Sequence, residues 1–163
     1  MLNFDGGHCG LGKVKQTVRR IWKLLPPGVR LWLVRATQRK FTVSAAAVVF
    51  NSDGEVLLLN HVLRPYSGWG LPGGFIDHGE QPHDAIRREL MEEVGLELAE
   101  LELHRIRTIR RHVEILFTAT SAGEAEVASR EIIELGWFAP DNLPERLSGP
   151  QKALIQRVLE SRR

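Results

Sequence analysis

Residues 68–96 read GWGLPGGFIDHGEQPHDAIRRELMEEVGL, and the reading of this stretch decides the fold. Pro82 suits the first turn of a helix, and Gly95 suits the position just past its end. Ala85, Ile86, Leu90 and Val94 recur at helical spacing as one apolar stripe. The pattern predicts a helix over 82–94, with Glu89, Glu92 and Glu93 at i, i+3 and i+4 on one face near its end. Each like-charge neighbour there costs about 0.2–0.5 kcal/mol. Each acid near the C-terminal end loses about another 0.3–1 kcal/mol to the helix dipole. A solvated face chosen for stability would carry Lys or Arg instead. A divalent cation removes the cost, because three carboxylates supply the hard oxygen ligands that Mg²⁺ or Mn²⁺ prefers. Such an ion also binds substrate phosphates and acidifies a water into a nucleophile at neutral pH.

Upstream, FTVSAAAVVF (41–50) reads as a buried strand, NSDG (51–54) as a turn and EVLLLNHV (55–62) as a second strand. Pro72-Gly73-Gly74 breaks the chain, and 75–77 reads as a short extended piece. Downstream, strands are predicted over 99–109, 112–120 and 132–138. LSGPQKALIQRVLESRR (147–163) closes the chain as a helix with a proline in its first turn. Strands with helices on both sides point to an α/β sandwich.

The whole chain sets wider bounds. Its 163 residues suffice for one domain with a real core, and 43% apolar with 26% charged residues is ordinary for a globular protein. Cys9 stands alone, which excludes an internal disulfide and fits a reducing compartment. No apolar run approaches a membrane span. IWKLLPPGVRLWLV is interrupted by Lys23, Pro26, Pro27 and Arg30, and it begins too far in for a secretion signal. A cytoplasmic protein with no membrane partner is expected. Charge is divided unevenly. Residues 1–40 hold nine Lys or Arg and one acid, Asp5, a net of +8, whereas residues 41–163 hold 13 basic and 19 acidic residues, a net of −6. A basic arm, residues 1–40, therefore precedes an acidic domain, residues 41–163. Residues 1–12 are glycine-rich and expected to be disordered, followed by helices over 13–25 and 28–38. Such an arm serves as an amphipathic helix docked on its own domain, or as a surface for anionic substrates, RNA or a partner. Trp22, Leu25, Leu31 and Trp32 are candidates for a homodimer contact.

The stretch from Gly74 to Leu96 resembles the signature of the Nudix hydrolase family, G-x5-E-x7-R-E-U-x-E-E-x-G-U, where U is a bulky aliphatic residue. Gly74, Glu80, Arg88-Glu89, Leu90, Glu92-Glu93, Gly95 and Leu96 fill every fixed position. WGLPGG before it and ELGWFAPDNLP after it extend the likeness from about residue 41 to the end. The resemblance implies an α/β/α sandwich with a mixed central sheet, and Mg²⁺- or Mn²⁺-dependent cleavage of a nucleoside diphosphate linked to another group. It implies Glu89, Glu92 and Glu93 as metal ligands, with the Gly74 carbonyl completing the coordination. Glu89 is also a candidate base for the attacking water. Arg88 and Glu80 are implied to hold loop and helix in register, or Glu80 to reach a metal through water. A further acid from a later segment is implied, with Glu131 favoured over Glu134 because it sits at the start of a strand.

Specificity must come from elsewhere. Arg64 is a candidate phosphate ligand, and Trp69, Tyr66 and Phe75 are candidates to stack a base or ribose, against the alternative of simple packing. Trp137-Phe138 read as core. His61, His78, His83, His104 and His112 show no metal-type spacing and read as incidental. In HRIRTIRRH (104–112), strand alternation puts Arg105, Arg107 and Arg111 on one face. The extra signatures of the coenzyme A, NADH, ADP-ribose and dinucleoside polyphosphate subtypes are missing. The leading expectation is a pyrophosphohydrolase of a nucleotide sugar, an ADP-ribose-like compound or a (d)NTP. The alternatives are an RNA 5′-end pyrophosphohydrolase or decapping enzyme, and a non-catalytic nucleotide-binding regulator. The intact set of glutamates argues against the last.

Overall fold

The computed structural model describes residues 9–63 and 68–162, with side chains from Lys15 onward. The chain divides into two units, Met1–Lys40 and Phe41–Arg163. In the first, α1 (Cys9–Leu24) and α2 (Pro27–Thr37) are separated by the Pro26-Pro27 break. Helix α1 begins before the expected start at residue 13, so Cys9–Gly12 are helical where disorder was expected. Residues 1–8 lie outside the described residues.

The second unit is built on a seven-stranded sheet. Its strands are β1 (Thr42–Phe50), β2 (Val56–His61), β3 (Trp69–Gly70), β4 (Gly73–Phe75), β5 (Leu98–Ile109), β6 (His112–Ser121) and β7 (Ile132–Phe138). The main path runs β3-β2-β1-β6-β5, with β4 added on β1 and β7 on β2. Strands β1 and β6 run parallel from Thr42↔His112 to Phe50↔Thr120, and the other pairs are antiparallel. The sheet is therefore mixed. Helices α3 (Pro82–Val94) and α4 (Gly149–Ser161) complete the unit.

Alternation along β1 sorts the core into two layers. Ala45, Ala47 and Val49 join Leu57 and Leu59 against Ala85, Ile86, Leu90 and Val94 of α3. Val48 and Phe50 join Val56 and Leu58 against Leu154, Ile155 and Val158 of α4. Both faces of β1 and β2 are thus covered, which is why these strands read as unbroken apolar runs rather than alternating ones. The result is the expected α/β/α sandwich.

Helix α3 keeps the predicted bounds. Pro82 opens it, and Asp84 lies in the first turn, where the dipole favours an acid. Gly95 closes it at φ 62°, ψ 20°. The Gly95 N–H donates to Met91 O, and the Leu96 N–H donates to Leu90 O, the paired closure that a left-handed glycine permits. The short extended piece expected at 75–77 forms instead at Gly73–Phe75, and β3 went unforeseen. Two residues between glycines carry too little periodicity to show as a strand. Gly73 has φ 141°, and a Cβ there would run into the Ala45 carbonyl, so β4 lies against β1 only because this residue is glycine.

Leu90 is fully buried beneath the sheet. Leu90→Ala is expected to lower the unfolding free energy by about 2–5 kcal/mol, and Gly95→Ala by about 1–2 kcal/mol through the left-handed backbone alone. Urea titrations of the two variants check both, and equal losses would contradict this division.

Candidate active site

The last turns of α3, strand β4 and the start of β7 meet at one cleft of about 350 Å³. It is lined by His61, Gly73, Gly74, Phe75, Asp77, Arg88, Glu89, Glu93 and Glu131. Arg88 organises its floor. Its Nε donates to Glu80 Oε1 at 2.8 Å and its Nη2 to Glu80 Oε2 at 3.0 Å, a forked pair that ties the 76–81 loop to the helix. Nη2 also donates to the Phe75 carbonyl at 3.2 Å, which adds β4 to the same anchor. Nη1 donates to Glu89 Oε1 at 2.9 Å and to Glu92 Oε2 at 3.3 Å. The expected carboxylate crowding is thus partly neutralised from within, and its cost is smaller than charge counting along the helix gives.

The dipole cost is reduced as well. The Ala128 and Ser129 N–H groups donate to Glu93 O, and the Glu126 N–H donates to Val94 O. Carbonyls that a helix end normally leaves without intrahelical partners are satisfied by a passing loop. That loop runs straight into Glu131. The Val62 N–H donates to Glu131 O at 2.9 Å, fixing the start of β7 beside the end of β2.

Each candidate residue has a definite place. Glu93 is 7% exposed and is the buried charged residue of the described core. Its Oε1 lies 3.7 Å from His61 Nδ1. Glu89 sits against Gly74, and a Cβ on that glycine would run into the Glu89 carboxylate. Burial pushes the Glu89 carboxyl above its ordinary range, against the opposing pull of Arg88. Glu131 faces the cleft, whereas Glu134 accepts from Asn60 Nδ2 at 2.8 Å on the β2–β7 pair. Glu92, with a side chain 60% exposed, lines no part of the cleft and reaches Arg88 instead. Glu80 likewise serves Arg88 rather than the cleft wall.

Trp69 departs from the stacking expectation. Pairing of β3 with β2 turns its ring edge-on to Phe138, centroids 5.1 Å apart, within the α4-side layer. Phe75 is 64% exposed and borders the cleft. Arg64 and Tyr66 lie outside the described residues. Arg111 leaves the expected arginine face because the chain turns at Arg110, φ 56°, between β5 and β6. Arg107 faces Glu114 across the strands, with its Nε donating to Glu114 Oε2 at 2.6 Å.

A second cavity of about 240 Å³ adjoins the first, sharing Gly73, Gly74 and Phe75. Its walls include Leu71, Leu116 and Leu154, with Ser44, Arg107, His112, Glu114 and Gln151 as polar groups. His112 is held between Thr42 Oγ1 at 2.8 Å and Ser44 Oγ at 2.9 Å. Gln151 Oε1 is buried and has no hydrogen-bond partner among the described residues. Sequence reasoning missed His61, His112 and Gln151. None has a motif spacing, and only strand register and the return of α4 bring them to the cleft.

Among the described residues no three acidic, histidine or cysteine side chains stand together as a ready metal cage. Arg88 draws Glu80, Glu89 and Glu92 onto itself. The donor set nonetheless fits a hard divalent ion. Glu89 and Glu93 are carboxylates already withdrawn from water, a costly placement that a cation offsets, and the bare Gly74 backbone lies beside Glu89.

The Arg88 fork and the Asp77 N–H hold the Glu80 carboxyl at about 2, below its ordinary 4.5. A folded-state value below the unfolded one contributes stability above pH 4.5, and that contribution is lost as the pH falls through about 2. In EDTA, the Tm difference between the native chain and Glu80→Gln is expected to be constant near neutrality and to close between pH 4.5 and about 2. A difference independent of pH would contradict the assignment.

Comparison with known proteins fits this geometry. A MutT-like protein of Streptomyces ambofaciens is 34% identical over 110 residues, 66% of this chain and 70% of its own length. An RNA pyrophosphohydrolase of Bartonella henselae is 37% identical over 76 residues, 42% of this chain and 44% of its own. The crystal structure of a MutT NUDIX hydrolase from Burkholderia pseudomallei matches with a TM-score of 0.66 at 31% identity, over 74% of this chain and 99% of that one. The NUDIX domain model matches residues 40–158. A family model that spans most of the chain, with a crystal structure of the same fold, shows that the chain belongs to the Nudix hydrolase family.

Proposed function

We propose that the chain is a Mg²⁺- or Mn²⁺-dependent pyrophosphohydrolase acting on a small nucleoside diphosphate derivative, whether a nucleotide sugar, an ADP-ribose-like compound or a (d)NTP. The observation that carries this reading is the pair of clefts joined along Gly73, Gly74 and Phe75, one acidic and one lined by apolar and polar side chains together. Glu89 and Glu93 would hold the ion, with the Gly74 carbonyl and Glu92 as further candidate ligands. When bound, the ion offsets the charge of the diphosphate and acidifies a water. Glu89, in the cleft beside Gly74, is the candidate to take a proton from that water, and Glu131 is the candidate second acid. Arg88 keeps loop, strand and helix in fixed register, so that the reacting groups are already positioned when substrate arrives.

The neighbouring cavity takes the rest of the nucleotide. Its 240 Å³ falls below the usual size of a ligand pocket, which suits one planar ring system with the sugar outside. Gln151 Oε1 accepts an N–H from that ring, the Arg107–Glu114 pair borders it and Phe75 covers its mouth. A second reading, an RNA 5′ end held by its phosphates, is supported by the RNA pyrophosphohydrolases among the relatives.

Glu93→Gln is expected to lower metal-dependent phosphate release by at least about 10–100-fold, the loss typical of even an outer-shell partner, while circular dichroism stays native. Unchanged turnover refutes the site. The substrate is tested by a panel of nucleoside diphosphate derivatives, dNTPs and triphosphate-ended RNA with product masses. Gln151→Leu is expected to raise KM for the preferred substrate by about 3–10-fold, the worth of one neutral hydrogen bond, and to narrow discrimination between bases. Equal KM values for both proteins would place the base elsewhere.

A further inference from the structure

The two helices of the first unit carry a specific chemistry of their own. Val18, Ile21 and Trp22 recur at i, i+3 and i+4, which puts them on one arc of α1. Arg20 and Lys23 occupy the opposite arc, and Lys15 and Arg19 flank the apolar one beside Trp22. Val18 and Ile21 are 59% and 56% exposed, large values for such side chains. Helix α2 has no buried residue, and Trp32 on it is 66% exposed. No Asp or Glu occurs between Asp5 and Asp53.

We propose that α1 and α2 bind the surface of an anionic lipid bilayer. A helix with Lys and Arg on one arc and Trp with aliphatics on the other lies in the bilayer interface, its apolar arc among the acyl chains and its cations at the headgroups. Tryptophan favours this depth. The uninterrupted positive charge selects acidic headgroups. No helix among the described residues is long and apolar enough to cross a membrane, which is a separate property from lying on one.

RNA and a second copy of the chain fit less well. Phosphodiester contact needs the basic residues but gives no role to the exposed Val18 and Ile21, whereas a bilayer interface uses both the aliphatic arc and the cations that flank it. Two copies would bring like charges together with no acid on α1 or α2 to offset them, over a helix too short for a sustained coiled coil.

The test uses the full chain with vesicles of phosphatidylcholine alone, or mixed roughly 3:1 with phosphatidylglycerol. Co-sedimentation is expected to rise about tenfold with the acidic lipid and to fall steeply at high KCl. The charge-neutral triple variant Ile21→Ser, Trp22→Ser, Trp32→Ser is expected to lose that binding about tenfold while nucleotide hydrolysis is unchanged. Any of four results overturns the proposal: no vesicle binding; equal binding to both lipids; equal binding by the variant; or a lipid-free dimer that the same substitutions abolish. Binding to a short single-stranded RNA tighter than to vesicles, and indifferent to the substitutions, assigns the arm to nucleic acid instead.

Discussion

One guanidinium holds the active-site region together. Arg88 reaches Glu80 on the loop, the Phe75 carbonyl on β4, and Glu89 and Glu92 on its own helix. It thereby links three elements, the 76–81 loop, β4 and α3, through one side chain. The forked geometry with Glu80 fixes orientation as well as distance, which a lysine in the same place would not do. The same residue balances the carboxylates of a helix end whose own field opposes them.

Two layers of apolar packing support that arrangement from below. The strands β1 and β2 face α3 on one side and α4 on the other, so the helix bearing the glutamates is seated through Ala85, Ile86, Leu90 and Val94. This part was legible in the sequence. An unbroken apolar strand, a proline-to-glycine bounded helix and a stripe at helical spacing are local signals, and each element formed within a few residues of its expected place. Strand β3 and the true position of β4 were not legible, because two- or three-residue strands are made by pairing to neighbours and not by their own pattern.

The site divided along the same line. Arg88, Glu89 and Glu93 share one helix, and helical geometry alone relates them, whereas Glu80 on the preceding loop was tied to Arg88 only by the family resemblance. Glu131 was visible only as one of two acids near a strand start, and the separation came from register, which sends Glu134 to Asn60. His61, His112 and Gln151 come from β2, β6 and α4, and nothing in their neighbours marks them. Trp69 misled for a related reason: an aromatic beside glycines looks available, and pairing with β2 turned it into the core.

The loop that caps α3 through the Glu126, Ala128 and Ser129 amides also delivers Glu131. Its length is therefore a ruler. One residue more or less between Ser121 and Ile132 would shift the register of β7 or unseat the amides, and either would change the gap between acids on two different elements. Chain length is freer to change in segments such as 139–148, which join the sheet to α4 outside this span.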